Sequence, residues 1–132
     1  MGIYINDERK LFSLTTENTE YAFCIDNQGL VRHLYWGNKI NSPEDFDIPV
    51  LTEVSTNDPV YEITKEEYPV YGGLRYKENC LKVSFEDKTR DIVYKYVGYC
   101  INENELVINL KDAHYNIEID LHYRVLEDVD LI

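Results

Sequence analysis

Asn116-Ile117-Glu118-Ile119-Asp120-Leu121-His122-Tyr123-Arg124-Val125 alternates without a break. Ile117, Ile119, Leu121, Tyr123 and Val125 fall on one side of an extended chain, and Asn116, Glu118, Asp120, His122 and Arg124 on the other. A strict period of two marks a half-buried antiparallel strand, not a helix. The apolar row needs a partner layer, so this strand is expected to pack on a sheet. The sequence runs on for only seven residues, to Leu131-Ile132, which reads as an abrupt stop.

Upstream, the same pattern recurs between turn signals. Leu106, Ile108 and Leu110 alternate with Val107, Asn109 and Lys111, and Leu81, Val83 and Phe85 with Lys82, Ser84 and Glu86. The stretch Ile92 to Tyr99 is rich in tyrosine and valine, which suit a pleated surface. Glu86-Asp87-Lys88-Thr89, Asn102-Glu103-Asn104 and Asp112-Ala113-His114 are expected turns. The first forty residues read as a meander, with strands expected at Gly2–Ile5, Leu11–Thr15, Thr19–Ile25 and Leu30–Trp36. Asp26-Asn27-Gln28-Gly29 joins the last two, because Asp and Asn bond their own backbone and Gly tolerates positive φ. Strands spaced this way, with no helical period, predict an all-β antiparallel sandwich in a single domain over residues 1–132.

Ser42 to Pro69 breaks the pattern. All four prolines lie there, with eight acidic residues against Lys65 alone. Proline cannot serve a central strand. The stretch is expected to be an acidic surface excursion, with one short strand at Val60–Thr64.

The chain has 132 residues, enough to bury a core without disulfide staples. Its net charge is −12, which argues against nucleic acid and anionic membrane as partners. Cys24, Cys80 and Cys100 are widely spaced and show no metal-ligand pattern, so they read as free thiols. The N-terminus lacks the basic-then-apolar pattern of a signal peptide, and no run is long enough to span a membrane as a helix. A cytoplasmic location is expected, and no cofactor or metal.

Catalytic motifs are absent from the local sequence. His33, His114 and His122 are too scattered to imply a metal site, and Tyr71-Gly72-Gly73-Leu74 lacks the helix that a phosphate loop needs. Two clusters stand out. Leu34-Tyr35-Trp36-Gly37 sets the only tryptophan at a strand end, and Glu66 to Tyr76 combines aromatics, glycines and an arginine. Aromatic faces beside Arg or Glu can hold sugars, which makes Trp36, Tyr71 and Arg75 candidate carbohydrate-binding residues. Core packing and turn geometry account for the same residue types.

These clusters, in this order, resemble the N-terminal region of family 36 glycoside hydrolases, the bacterial α-galactosidases. The resemblance runs through Tyr21-Ala22-Phe23, Gly29-Leu30-Val31-Arg32-His33-Leu34-Tyr35-Trp36-Gly37 and Glu67-Tyr68-Pro69-Val70-Tyr71-Gly72. It continues through Leu81-Lys82-Val83, Arg90-Asp91, Tyr96-Val97-Gly98, Leu110-Lys111-Asp112 and Leu121-His122-Tyr123-Arg124-Val125. It implies a large N-terminal supersandwich, followed in the parent enzyme by a (β/α)₈ barrel whose aspartates cleave α-galactosides with retention. This chain would then be a non-catalytic fragment that supports the barrel and a homo-oligomer, with α-galactoside oligosaccharides reached through the parent. In some relatives the stretch matching Asn41–Glu66 reaches a neighbouring active site through an Asp and an Arg; no arginine occurs there in this sequence. After the Tyr-Gly turn the family has Asp-Phe-Arg, against Leu74-Arg75-Tyr76 here, so only Arg75 matches. A stand-alone carbohydrate-binding module and a purely structural assembly domain are the alternative expectations.

Overall fold

In the computed structural model, residues 2–48, 65–73 and 75–132 are described. Among these residues, seven strands form two antiparallel meanders. β1 (Gly2–Asn6), β2 (Leu11–Thr15), β3 (Thr19–Ile25) and β4 (Val31–Asn38) make the first sheet, in sequence order. β5 (Tyr94–Asn102), β6 (Glu105–Asp112) and β7 (Glu118–Arg124) make the second. The only helical elements among the described residues are two three-residue 3₁₀ turns, at Pro43–Asp45 and Glu127–Val129. The all-β sandwich expected from the alternation is the observed architecture. Val60–Thr64, where a short strand is expected, lies outside the described residues.

The core forms where the apolar rows of the two sheets meet. Phe12, Leu14, Phe23, Ile25 and Val31 face Tyr94, Leu106, Ile108 and Leu110, all within one buried cluster. Register explains the match: Leu106, Ile108 and Leu110 pair with Tyr123, Leu121 and Ile119, so β7 adds its apolar row to the same face. Full burial of one such side chain is worth about 1.5–3 kcal/mol. Rings run in a column through this layer. Tyr123 stacks on Phe23 at 4.8 Å, Phe23 on Phe12 at 5.1 Å, and Phe12 meets the edge of Tyr99 at 5.4 Å.

Two bulges set which side chains face inward. In β5 the pairing steps from Tyr96↔Leu110 to Gly98↔Asn109, leaving Val97 as the extra residue. Tyr94 and Tyr96 before the bulge, and Tyr99 after it, therefore all pack on the core, while Val97 is exposed. A bulge shifts parity by one residue, which is how odd and even positions of one strand share a face. In β4 the pairing steps from Phe23↔His33 to Ala22↔Tyr35, and Leu34 is the extra residue.

The first sheet is covered on both faces. Leu11, Ser13, Glu20, Ala22 and Cys24 on its far side are fully buried. Glu20 accepts hydrogen bonds from the Ser13 hydroxyl at 2.6 Å and the Ile40 backbone N–H at 2.9 Å. Arg9 donates to the Glu44 carbonyl at 2.6 Å and the Phe46 carbonyl at 2.5 Å, tying the first described part of the acidic stretch to the sheet. At its other end, Lys65–Glu67 lies along β4: the His33 N–H donates to the Lys65 carbonyl at 2.9 Å and the Glu67 N–H to the Val31 carbonyl at 3.0 Å. There the stretch is not a surface excursion, because Glu66 and Glu67 turn their carboxylates into the protein.

The expected strand at Leu81–Phe85 keeps its alternating burial but has no regular ladder. Leu81 makes one parallel bridge to Val70, and no paired strand follows through Val83 and Phe85. The turn chemistry holds more closely. The Asp26 carboxylate accepts from the N–H groups of Gln28 at 2.8 Å and Leu30 at 2.9 Å. Asp112 does the same for His114 and Tyr115, and also accepts from Val93 N–H at 2.7 Å.

Gly72 has φ of +119°, and a Cβ there would lie 1.7 Å from the Asp91 Oδ1 atom. Gly72→Ala is expected to cost about 1–3 kcal/mol in denaturant unfolding. Gly98→Ala, with open space around it, should cost less; equal losses would contradict the close approach to Asp91. Burial pushes the Cys24 thiol up to about 12, whereas Cys80 and Cys100 are exposed. A chromogenic disulfide reagent at neutral pH should therefore modify Cys80 and Cys100 in the native protein and Cys24 only on unfolding. Rapid native labelling of all three would be inconsistent with this core.

Candidate functional site

The bulge at Leu34 decides which aromatic residue reaches the open end of the sandwich. Beyond it Tyr21 pairs with Trp36, so Trp36 shares the inner face with Tyr21 and Phe23. Tyr35 is sent to the other face, where its ring lies 5.5 Å from that of Phe46 and its hydroxyl donates to the Asn38 carbonyl at 2.7 Å. Gly37 permits this turn-back, because a Cβ there would meet the Tyr35 hydroxyl at 2.7 Å. Trp36 is left 73% exposed.

Trp36 forms one wall of a cleft of about 410 Å³, lined also by Tyr21, His33, His122, Tyr123, Arg124 and Ile132. Its floor is held by Glu67, whose side chain is only 9% exposed. The Tyr21 hydroxyl donates to Glu67 Oε1, and the Tyr123 hydroxyl donates to the same oxygen at 3.1 Å. His33 Nδ1 lies 3.3 Å from Glu67 Oε2. One carboxylate thus joins β3, β4 and β7. On the outer face of β7, opposite Tyr123, Glu105 lies 3.5 Å from His122 Nδ1 and accepts from Arg124 at 3.2 Å.

The three residues singled out in the sequence separate. Arg75 is buried, and its guanidinium forks onto Glu66, with Nε to Oε2 at 2.8 Å and Nη2 to Oε1 at 2.9 Å. It also donates to the Gly72 carbonyl at 3.2 Å. Tyr71 is partly exposed, with its N–H donating to the Leu81 carbonyl at 3.0 Å, and does not line the Trp36 cleft. Only Trp36 reaches it. Glu67 falls inside the Glu66–Tyr76 cluster without being named a site residue, and no local motif marks Tyr21, His33, Tyr123 or His122. The available signal was alternation, which placed Tyr123 in the apolar row of its strand. Among the described residues, no group of three or more His, Cys, Asp or Glu is placed to hold a metal ion. No helix among them is long and apolar enough to cross a membrane.

A two-sheet antiparallel sandwich with an aromatic cleft at one end is the class of domain this chain defines. The family model described as the glycosyl hydrolase family 36 N-terminal domain matches residues 29–132, and the chain belongs to that family. The bifunctional alpha-galactosidase/sucrose kinase AgaSK of Mediterraneibacter gnavus is 27% identical over 159 aligned residues, which take in 100% of this chain and 17% of AgaSK. The solved galactosidase domain of the alpha-galactosidase-sucrose kinase AgaSK superposes with a TM-score of 0.81 at 25% identity, covering 96% of this chain and 21% of that one. The family 36 alpha-galactosidase AgaB from Geobacillus stearothermophilus superposes with a TM-score of 0.80 at 20% identity, again over 96% of this chain and 21% of that one. This chain therefore spans about a fifth of these relatives' length.

Burial, first, and then the Glu67 carboxylate raise the Tyr21 and Tyr123 phenols well above their ordinary value. A phenol whose folded pKa is raised adds stability that is complete below about pH 10 and is lost as pH rises further, because the unfolded chain sheds the proton first. The denaturation midpoint of the native sequence should fall between about pH 9 and pH 11. A Tyr21→Phe/Tyr123→Phe double variant should start less stable and fall less steeply. Parallel pH profiles would rule out this linkage.

Proposed function

We propose that this chain is the non-catalytic N-terminal sandwich of an α-galactosidase. In this reading it supports a catalytic barrel supplied elsewhere in the parent protein and contributes to a homo-oligomer. The observation that carries the reading is the family match over residues 29–132, combined with coverage of only about a fifth of the relatives. The buried carboxylates support it. A retaining pair needs two carboxyl groups about 5–5.5 Å apart across a sugar, one of them free to give up a proton. Here Glu20, Glu66 and Glu67 already accept hydrogen bonds that join strands. The free thiols Cys24, Cys80 and Cys100 favour a reducing, cytoplasmic setting.

Carbohydrate recognition by the domain itself is the second reading. Its support comes from the exposure of Trp36, since the Arg75 guanidinium is spent on Glu66.

Purified by itself, the 132-residue chain should show no hydrolysis of an aryl α-galactoside, while the product of the complete gene should show it. Turnover that co-purifies with the isolated chain through successive columns would refute the non-catalytic reading. An inactive complete product would refute the α-galactosidase parent.

A further inference from the structure

We propose that the open end of the sandwich is an internal docking surface, on which Trp36, Val129 and Leu131 seat an apolar segment of the polypeptide that follows this domain in the parent protein. The proposal rests on the function proposed above. It deepens that reading by naming the surface through which the domain holds the rest of the enzyme.

Apolar side chains gather at this end. Trp36 shows most of its indole to solvent, and Val129 and Leu131 are each more than half exposed. Ile132 joins Trp36 in the lining of one cleft, together with the rings of Tyr21 and Tyr123. Large apolar residues scattered singly on a surface need no partner, whereas a group built round a tryptophan marks an interface.

The loop that carries Val129 and Leu131 is fixed in place. Leu126 and Leu131 exchange backbone hydrogen bonds, at 2.8 Å from the Leu126 N–H and 3.2 Å from the Leu131 N–H. Between them Asp130 adopts a left-handed backbone with φ of +52°, a region that non-glycine residues seldom enter. Its carboxylate accepts from the Thr16 hydroxyl, from the Asn18 N–H at 3.2 Å and from Asn18 Nδ2 at 3.1 Å. This clasp ties the end of the second sheet to the β2–β3 turn of the first. Polar groups thus hold two apolar side chains where water meets them. A surface ordered in advance lowers the cost of seating a partner.

The occupant follows from length and tethering. The matching family model is that of an N-terminal domain, and this chain covers only about a fifth of its solved relatives. A segment joined through Ile132 enters the cleft at high effective concentration, which favours it over a second copy or a free sugar. The nearby ionic groups are already matched, His33 by Glu67 and both His122 and Arg124 by Glu105. The segment that fits is therefore apolar and uncharged.

The test is hydroxyl-radical footprinting read by mass spectrometry, at matched dose, on the 132-residue chain and on the product of the complete gene. Trp36 is expected to oxidise about tenfold more slowly in the complete product, as a water-excluded interface residue should. Val129 and Leu131 should be protected with it, and the protection should persist on dilution. Trp36→Ser should leave the unfolding of the isolated chain nearly unchanged and speed thermal unfolding of the complete product about fivefold, both followed by circular dichroism.

Equal oxidation of Trp36 in the two proteins would overturn the docking surface, and protection then gained with galactose would assign this end to a sugar. Protection lost on dilution would overturn it in favour of a second copy. So would Trp36→Ser destabilising both proteins alike, which would make the indole part of this domain's own core. Hydrolysis of an α-galactoside by the complete product is read separately. An active product with an open Trp36 ends this proposal alone, and an inactive product with a covered Trp36 ends only the enzymatic reading.

Discussion

Glu66 and Glu67 are neighbours in an extended segment, and both carboxylates are buried, with side chains 0% and 9% exposed. Burying an ionised carboxylate costs several kcal/mol unless partners compensate it, by an order-of-magnitude reckoning of about that size per ion. Alternation sends adjacent side chains to opposite sides, so no single partner can serve both. Glu66 is matched by the two-pronged Arg75 guanidinium, the strongest form of carboxylate pairing. Glu67 receives no guanidinium. It is held by two phenolic hydroxyls and an imidazole, which come from both sheets. Each carboxylate therefore dictates a position far away in sequence: Arg75 with the Gly72 turn in one case, and Tyr21 with Tyr123 in the other. Stripping the guanidinium from Glu66 would leave a buried charge, a loss of about 3–5 kcal/mol in comparable cases.

The cleft follows from this pairing and from one bulge. Lys65–Glu67 occupies the outer edge of β4 through two backbone hydrogen bonds, which blunts an edge that would otherwise invite pairing with another chain. The same bonds fix the height at which Glu67 enters. Because Leu34 is extra, the strand turns Trp36 inward beyond His33, and the indole ends up beside the ring of Tyr21. Without that insertion Tyr35 would take the inner position and the tryptophan would face Phe46. A one-residue feature of the ladder thus selects which ring walls the open end.

Much of the sandwich was legible in the sequence because two rules dominate it. Alternation gave β2 and β3 at their observed limits and β7 within two residues, and Asp26 and Asp112 closed their turns by bonding backbone N–H groups. What stayed hidden depends on contacts far apart in sequence. The bulges at Leu34 and Val97 leave no local composition mark. Arg75 looks like a sugar-binding donor until Glu66 is placed against it, nine residues away and out of solvent. Leu81–Phe85 alternates as well as any true strand, yet its neighbours offer it only one bridge. Likewise the far face of β2 and β3 reads as half polar, but Ser13 and Glu20 satisfy one another there and are buried together.

The acidic total is equally uneven in its consequences. Glu118 meets Lys111 at 3.4 Å on the outer face of β7, with both side chains largely exposed, and such a pair contributes little. Those charges keep the surface soluble and could change without altering the fold. Asp26, Glu20, Glu66 and Glu67 are a different population, since each is buried and each is the acceptor on which a turn, a sheet face or a strap is built. Of these only Glu67 also borders the aromatic cleft, through Tyr21, Tyr123 and His33. It couples the joining of the two sheets to the shape of the open end. A change at Glu67 would therefore move the phenols and the imidazole together, whereas a change at Glu66 would act through Arg75 and leave the cleft's own contacts in place.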